Sequence, residues 1–190
     1  EKADGEVLFG EGTIDISSIQ PYTKLWLSKR VQANPKAIQA ILDADIVVVN
    51  PGNFFCSIIP NLLIDGISDA LKKTNAKKIY VANLMTKRGH TDGFTVGSYV
   101  DHLHKYVHGN FLTHVIYNTE HEVSDDLTDK YKESGEEFVQ PGDIDTREGL
   151  VVFAEDLLSR EVIIQDSADT VARSLIRHDA QKLISLILNI

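Results

Sequence analysis

The chain has 190 residues, 43% of them apolar and 25% charged, with a formal net charge of −9. The carboxylate surplus, with no basic cluster longer than a pair such as Lys29-Arg30 or Lys77-Lys78, argues against a nucleic-acid partner, since phosphate backbones are held by clustered Lys and Arg. No apolar run approaches the ~20 residues that span a bilayer, so no membrane insertion is expected, and the single cysteine, Cys56, rules out an intrachain disulfide and fits a cytoplasmic location.

The sequence opens on Glu1 and its one methionine is Met85, so a piece excised from a longer chain is expected. The length suits one domain over residues 1–190. Glu6 to Gly12 and Lys24 to Lys29 read as short strands around the turn material Gln20-Pro21. Asn34-Pro35 opens a helix, with Asn as N-cap and Pro at the first helical position; Ala37, Ile38, Ile41 and Leu42 give its apolar stripe. Asp45 to Val49 is a short β-branched run of the kind buried on both faces of a parallel sheet.

Asn61 to Lys73 predicts an amphipathic helix carrying Leu63, Ile67, Ala70 and Leu71 on one face. Lys78 to Ala82 is the next strand. A polar loop follows from Thr86 to Gly93, then a helix marked by Val96, Val100, Leu103 and Val107, then the strand His114 to Tyr117. A helix is expected near Leu127 to Lys132, strands at Leu150 to Phe153 and Glu161 to Ile164, and a closing helix from Asp179 to Leu188 with Leu183, Ile184 and Ile187 inward. Alternation of strand and helix predicts a three-layer α/β/α, Rossmann-like fold around a parallel sheet.

In open α/β sheets ligands bind beyond the carboxyl ends of the strands. Three loops leave strands there, beginning at Asn50, Asn83 and Asn118. Asn offers a donor and an acceptor and tolerates left-handed backbone, so it serves ligand contact and tight turns alike. In the first loop Gly52 lets backbone approach a ligand, and Ser57 with nearby N–H groups could hold an anion. Phe54 and Phe55 suit base or sugar stacking, or the core.

The single Cys56 reads as a small buried filler more readily than as a nucleophile. His102, His104 and His108 lie on one helix, but no carboxylates converge with them; a solvated helix edge is expected, with no metal site. Thr91-Asp92-Gly93 suits a sugar hydroxyl or divalent ion, and equally an Asx-turn capping the next helix. Arg177-His178-Asp179 could contact a ligand phosphate, but Asp179 as cap of the last helix is the reading preferred.

Three stretches together resemble one family. Residues 50–63, NPGNFFCSIIPNLL, resemble the CofD/YvcK-family pattern GPGSxxTSIxPNLL. Residues 83–93, NLMTKRGHTDG, resemble NxMTxxGETDG, and Arg177-His178-Asp179 resembles the family's closing RHD. This chain departs from the pattern at Asn50 (Gly), Asn53 (Ser), Cys56 (Thr) and His90 (Glu), and the family's glycine-rich amino-terminal segments, GGGTG and DDGGSSG, are not in it.

The resemblance, closer to the YvcK side, implies a nucleotide-sugar (UDP-sugar-like) binding protein that regulates carbon metabolism or cell-wall growth. The alternative it implies is a CofD-type transferase of a phospholactyl group to a deazaflavin acceptor. Implied ligand contacts are Asn50, Gly52, Asn53, Ser57 and Asn61 from the first loop, and Asn83, Thr86, Thr91, Asp92 and Gly93 from the second. No catalytic residue is assigned. No cofactor is required, a divalent metal such as Mg entering only in the transferase reading, and a homo-oligomer is compatible with either.

Overall fold

The computed structural model describes residues 1–161 and 174–190. Four strands, β1 (Ile46–Val49), β2 (Lys77–Val81), β3 (His114–Asn118) and β4 (Val151–Glu155), form one sheet in the order β1-β2-β3-β4. Every pairing is parallel, with Val48 opposite Ile79, Ile79 opposite His114 and Ile116 opposite Phe153. Strand alternation divides the apolar residues between two faces. Val47, Val49, Tyr80, Val115, Tyr117 and Val152 pack with Tyr99, Val100, Leu103 and Val107. Ile46, Val48, Ile79, Val81, Ile116 and Phe153 pack instead with Leu157, Leu183, Leu186 and Ile187. Helices cover both faces, so the expected α/β/α layering holds.

The helices begin where their caps allow. Helix α1 is the short segment Glu11–Ile16, and α2 is Pro35–Asp43, where Asn34 accepts from the Lys36 N–H at 2.9 Å. Helices α3 (Ile59–Leu62) and α4 (Ile67–Lys73) link β1 to β2. Helix α5 (Val96–Val107) opens on a capping box between Thr95 and Ser98 and ends at His108, in left-handed backbone at φ 56°. Helix α6 (Asp125–Ser134) stops at Gly135, and α7 (Ala180–Leu188) starts at Asp179, which accepts from the N–H groups of Gln181 and Lys182 at 2.9 and 3.0 Å.

Several expectations need correction. Glu6 to Gly12 and Lys24 to Lys29 are not strands: Gly10, at φ 86°, turns the chain into α1, and in the first 30 residues the one bridge is an isolated pair, Lys2 with Tyr22. Neither run finds a sheet edge to complete its hydrogen bonds, and Leu25, Trp26 and Leu27 line an apolar pocket with Leu8, Ile14 and Phe55.

The helix expected over Asn61 to Lys73 is broken. Asp65 bridges to Gln32, its N–H donating to the Val31 carbonyl at 2.9 Å and its carbonyl accepting from the Ala33 N–H at 3.0 Å. Gly66, at φ 97°, then reverses the chain into α4. In α7 it is Leu186 that joins Leu183 and Ile187 inward, while Ile184 is 52% exposed. The strand expected at Glu161 to Ile164 lies outside the described residues. Among the described residues no helix is long and apolar enough to cross a membrane.

Candidate functional site

Because the strands are parallel, the loops after β1, β2 and β3 leave from one edge of the sheet. The first begins as a tight coil. Ser57 and Ile58 both donate to the Asn53 carbonyl, at 2.7 and 3.2 Å, making Phe54–Ile58 a π-helical turn that runs into α3. Such turns widen a helix by one residue and recur at functional sites. Here the turn buries Phe54 and Phe55, which pack edge-on to each other at 5.1 Å and so serve the core.

The two loops are tied together, as the Asn83 side-chain amide donates to the Gly52 carbonyl at 2.8 Å. A third tie comes from the amino-terminal segment. Asp15, on α1, accepts from the Asn53 amide and from the Lys87 ammonium, and the Lys87 contact first of all holds the Asp15 carboxyl below the usual carboxylate range. Gly89 accepts from the N–H groups of Ile19 and Gln20 at 2.8 and 3.0 Å. The 10–20 segment thus lies as a strap across both loops.

Between these loops, α6 and residues 174–178 opens a cleft of ≈ 840 Å3, within the range of small-molecule sites. Gly52, Asn53, Asn83, Thr86 and Thr91 line it. Asn50, Ser57, Asn61, Asp92 and Gly93 are not among its lining residues; all five are exposed, and the Asn61 amide donates to the Ser57 carbonyl at 2.6 Å.

Two of the lining residues are occupied by the fold itself. Thr86 accepts from the Glu137 N–H at 2.9 Å, beside the isolated bridge from Met85 to Phe138. Thr91 closes the Lys87–Thr91 turn, accepting from the Lys87 N–H at 2.8 Å and from the Tyr99 hydroxyl at 3.0 Å.

Asp15, Lys87, His90, Lys130 and Glu136 are not among the residues expected from the sequence, and for Arg177-His178-Asp179 a phosphate contact ranks there below capping of the last helix; Asp15, Lys87, His90, Lys130, Glu136, Arg177 and His178 all line the cleft. Lys87 and His90 stand inside the recognised 83–93 motif, so their signal was available, whereas Asp15 had been read as lying between strands. Lys87, Lys130 and Arg177 bring positive charge to the wall of an acidic protein.

His90 is 1% exposed and its Nε2 lies 3.0 Å from the Ser17 carbonyl; burial, first of all, depresses its imidazole below the ordinary value. Burial pushes His178 down to about 4 and raises the Glu136 carboxyl.

Among the described residues no three His, Cys, Asp or Glu side chains converge as metal ligands. Of the cleft's carboxylates, Asp15 is engaged by Lys87 and Asn53.

The profile of the family described as 2-phospho-L-lactate transferase CofD matches residues 1–158. The chain belongs to the CofD family. Among its relatives are a putative gluconeogenesis factor of Thermotoga maritima, 36% identical over 97% of this chain and 55% of the relative. The gluconeogenesis factor of Bacillus subtilis is 31% identical over 100% of this chain and 56% of its own length. The crystal structure of a UPF0052-family protein from Bacillus halodurans superposes with a TM-score of 0.83 at 26% identity, covering 99% of this chain and 56% of that one.

The CofD-family chain therefore spans just over half the length of these relatives, and its likeness to the gluconeogenesis factors runs along nearly its whole length. Its Arg177-His178-Asp179 segment has a divided use. Asp179 caps α7, while Arg177 and His178 pair antiparallel beside Leu158 and face the cleft.

Proposed function

We propose that this chain forms one side of a nucleotide-sugar site in a regulatory protein of the gluconeogenesis-factor (YvcK) type, which controls carbon metabolism or cell-wall growth through partner contact. The observation that carries the reading is the cleft beyond the carboxyl ends of β1, β2 and β3, where α/β folds bind nucleotides. Its wall joins uncharged hydrogen-bonding groups at Asn53 and Asn83 to cations at Lys87, Lys130 and Arg177. That combination suits a ligand that is part sugar and part phosphate.

Titration of UDP-glucose into the protein, followed by amide chemical shifts, tests the reading. Shifts at Gly52, Asn53, Asn83 and Lys87 that saturate with ligand support it. Shifts confined to remote surface residues, or none at any residue in the chain extended by the family's glycine-rich segment, overturn it.

The transferase reading draws on the family's description. The metal-binding aspartates that reading calls for are expected in the family's amino-terminal half, so these residues do not discriminate against it. Transfer of a phospholactyl group to a deazaflavin acceptor by the purified protein would displace the binding-protein reading in its favour.

A further inference from the structure

Six buried side-chain atoms lack a hydrogen-bond partner among the described residues, and three of them belong to residues that line this cleft: Asn53 Oδ1, His90 Nδ1 and His178 Nε2. The chemistry of the first two can be fixed from the partner on the other side. The Asn53 amide nitrogen donates to the Asp15 carboxylate, which only accepts, so Oδ1 is the free end and is an acceptor. His90 Nε2 meets the Ser17 carbonyl at 3.0 Å and must carry the proton, leaving Nδ1 as a lone-pair acceptor. His178 Nε2 is also buried without a partner, and an imidazole nitrogen can accept or donate there according to its tautomer. Asn53 Oδ1 and His90 Nδ1 are both acceptors, and a phosphate, itself acceptor-only when ionised, cannot meet them.

We infer that Asn53, His90 and His178 form a subsite for a donor-rich, uncharged part of the ligand, a polyhydroxylated sugar ring whose O–H groups supply the three missing hydrogen bonds. The inference rests on the nucleotide-sugar reading above and names the sugar-facing wall. Lys87, Lys130 and Arg177, on the same cleft, add positive charge for the anionic part of the ligand.

The site is built to be uncovered. Asn53 and His90 are pinned by the strap, through Asp15 and Ser17 respectively. Helix α1 on that strap buries none of its own residues, and Ile16 is 87% exposed. The strap is anchored by Ile19, 7% exposed in the core, and by the Gly89 carbonyl, so a shift that opens both acceptors is confined to α1.

The imidazole nitrogens report on this directly. In the 15N-labelled protein at neutral pH, His90 Nδ1 should resonate as an unprotonated nitrogen, and His178 Nε2 is followed alongside it. Both should move as UDP-glucose is added at millimolar concentration and stay in place with UDP alone. Asn53→Ala should weaken UDP-glucose roughly tenfold, as loss of one hydrogen bond does, with UDP unchanged.

If Gly52 and Asn83 amides respond to UDP-glucose but the imidazole nitrogens do not, or if they move equally with UDP, the sugar subsite is overturned while the nucleotide-sugar reading survives. If no cleft resonance responds to UDP-glucose, in the extended chain as well, both fall. Should Asn53→Ala fail to fold, the wild-type imidazole shifts still decide.

Discussion

At Gly89 the backbone sits at φ +77°, and an added Cβ would lie 2.9 Å from the Ser18 Cα. Both facts require glycine, one by conformation and one by contact with main chain that has nowhere to retreat. Gly89→Ala should destabilise the protein by about 2 kcal/mol, read as a lower denaturant midpoint. Gly52 is different: an added Cβ would meet the Ile58 side chain at an ordinary 3.8 Å. Gly52→Ala should leave stability within about 0.5 kcal/mol. If the glycine serves close approach of a ligand from the cleft side, the same variant should weaken UDP-glucose several-fold; unchanged affinity would make residues 50–57 a turn and nothing more.

His178 gives a pH dependence whose sign follows from burial. Its imidazole, lowered to about 4 from 6.5, binds fewer protons in the folded state than in the unfolded state between those values. Stability is therefore full above pH 6.5 and is lost as pH falls towards 4, by up to about 3 kcal/mol from this residue. Urea midpoints measured from pH 7 to pH 4.5 should decline over that window, and His178→Phe should flatten the decline. An unchanged slope in the variant would show that other groups carry it.

Single residues were the least legible part of the sequence. Asn53, Asn83 and Gly52 were selected as ligand-facing and do line the cleft, but Asp15 was invisible. Its role depends on a strap that folds back onto loops 38 and 72 residues away, and no local pattern encodes that return. Thr86 and Thr91 line the cleft as expected while their hydroxyls are engaged in fixing the loops, a distinction that residue type alone does not draw.

At the scale of elements, local chemistry was a sound guide wherever it had a cap or a two-sided apolar run. Asn34, Thr95 and Asp179 start their helices as the sequence indicates for the first and third, and the four runs of the parallel sheet fall within a residue or two of their expected positions. The failures have a common cause. Glu6 to Gly12, Lys24 to Lys29 and the broken helix at Asp65 are decided by distant partners, since a strand needs an edge and the break needs Gln32 to pair with Asp65.

Helix α7 packs Leu183, Leu186 and Ile187 onto the face formed by Ile79, Val81 and Ile116, so its anchoring bears on the sheet. Asp179→Ala removes acceptors for two N–H groups and should cost about 1 kcal/mol, with a matching loss of hydrogen-exchange protection along α7. Protection lost uniformly across the sheet instead would mean that the helix and sheet unfold as one unit.

For the whole molecule, four parallel strands place three loops at one edge, and that geometry makes a cleft of ≈ 840 Å3 from segments far apart in sequence. The chain spans 55% of its Thermotoga maritima relative. A Rossmann-like site takes its phosphate donors from a glycine-rich strand–turn–helix, and we propose that such a segment completes this cleft. The proposed site is then shared, with sugar-facing acceptors here and most pyrophosphate donors there.

The most direct test is isothermal titration of UDP-glucose into the 190-residue chain and into the same chain extended by the family's glycine-rich segment. The loss of about three charge-assisted hydrogen bonds corresponds to some thousandfold or more in affinity, so the extended chain should bind at least about that much more tightly. Equal affinity of the two, or no binding by the extended chain, would contradict the account.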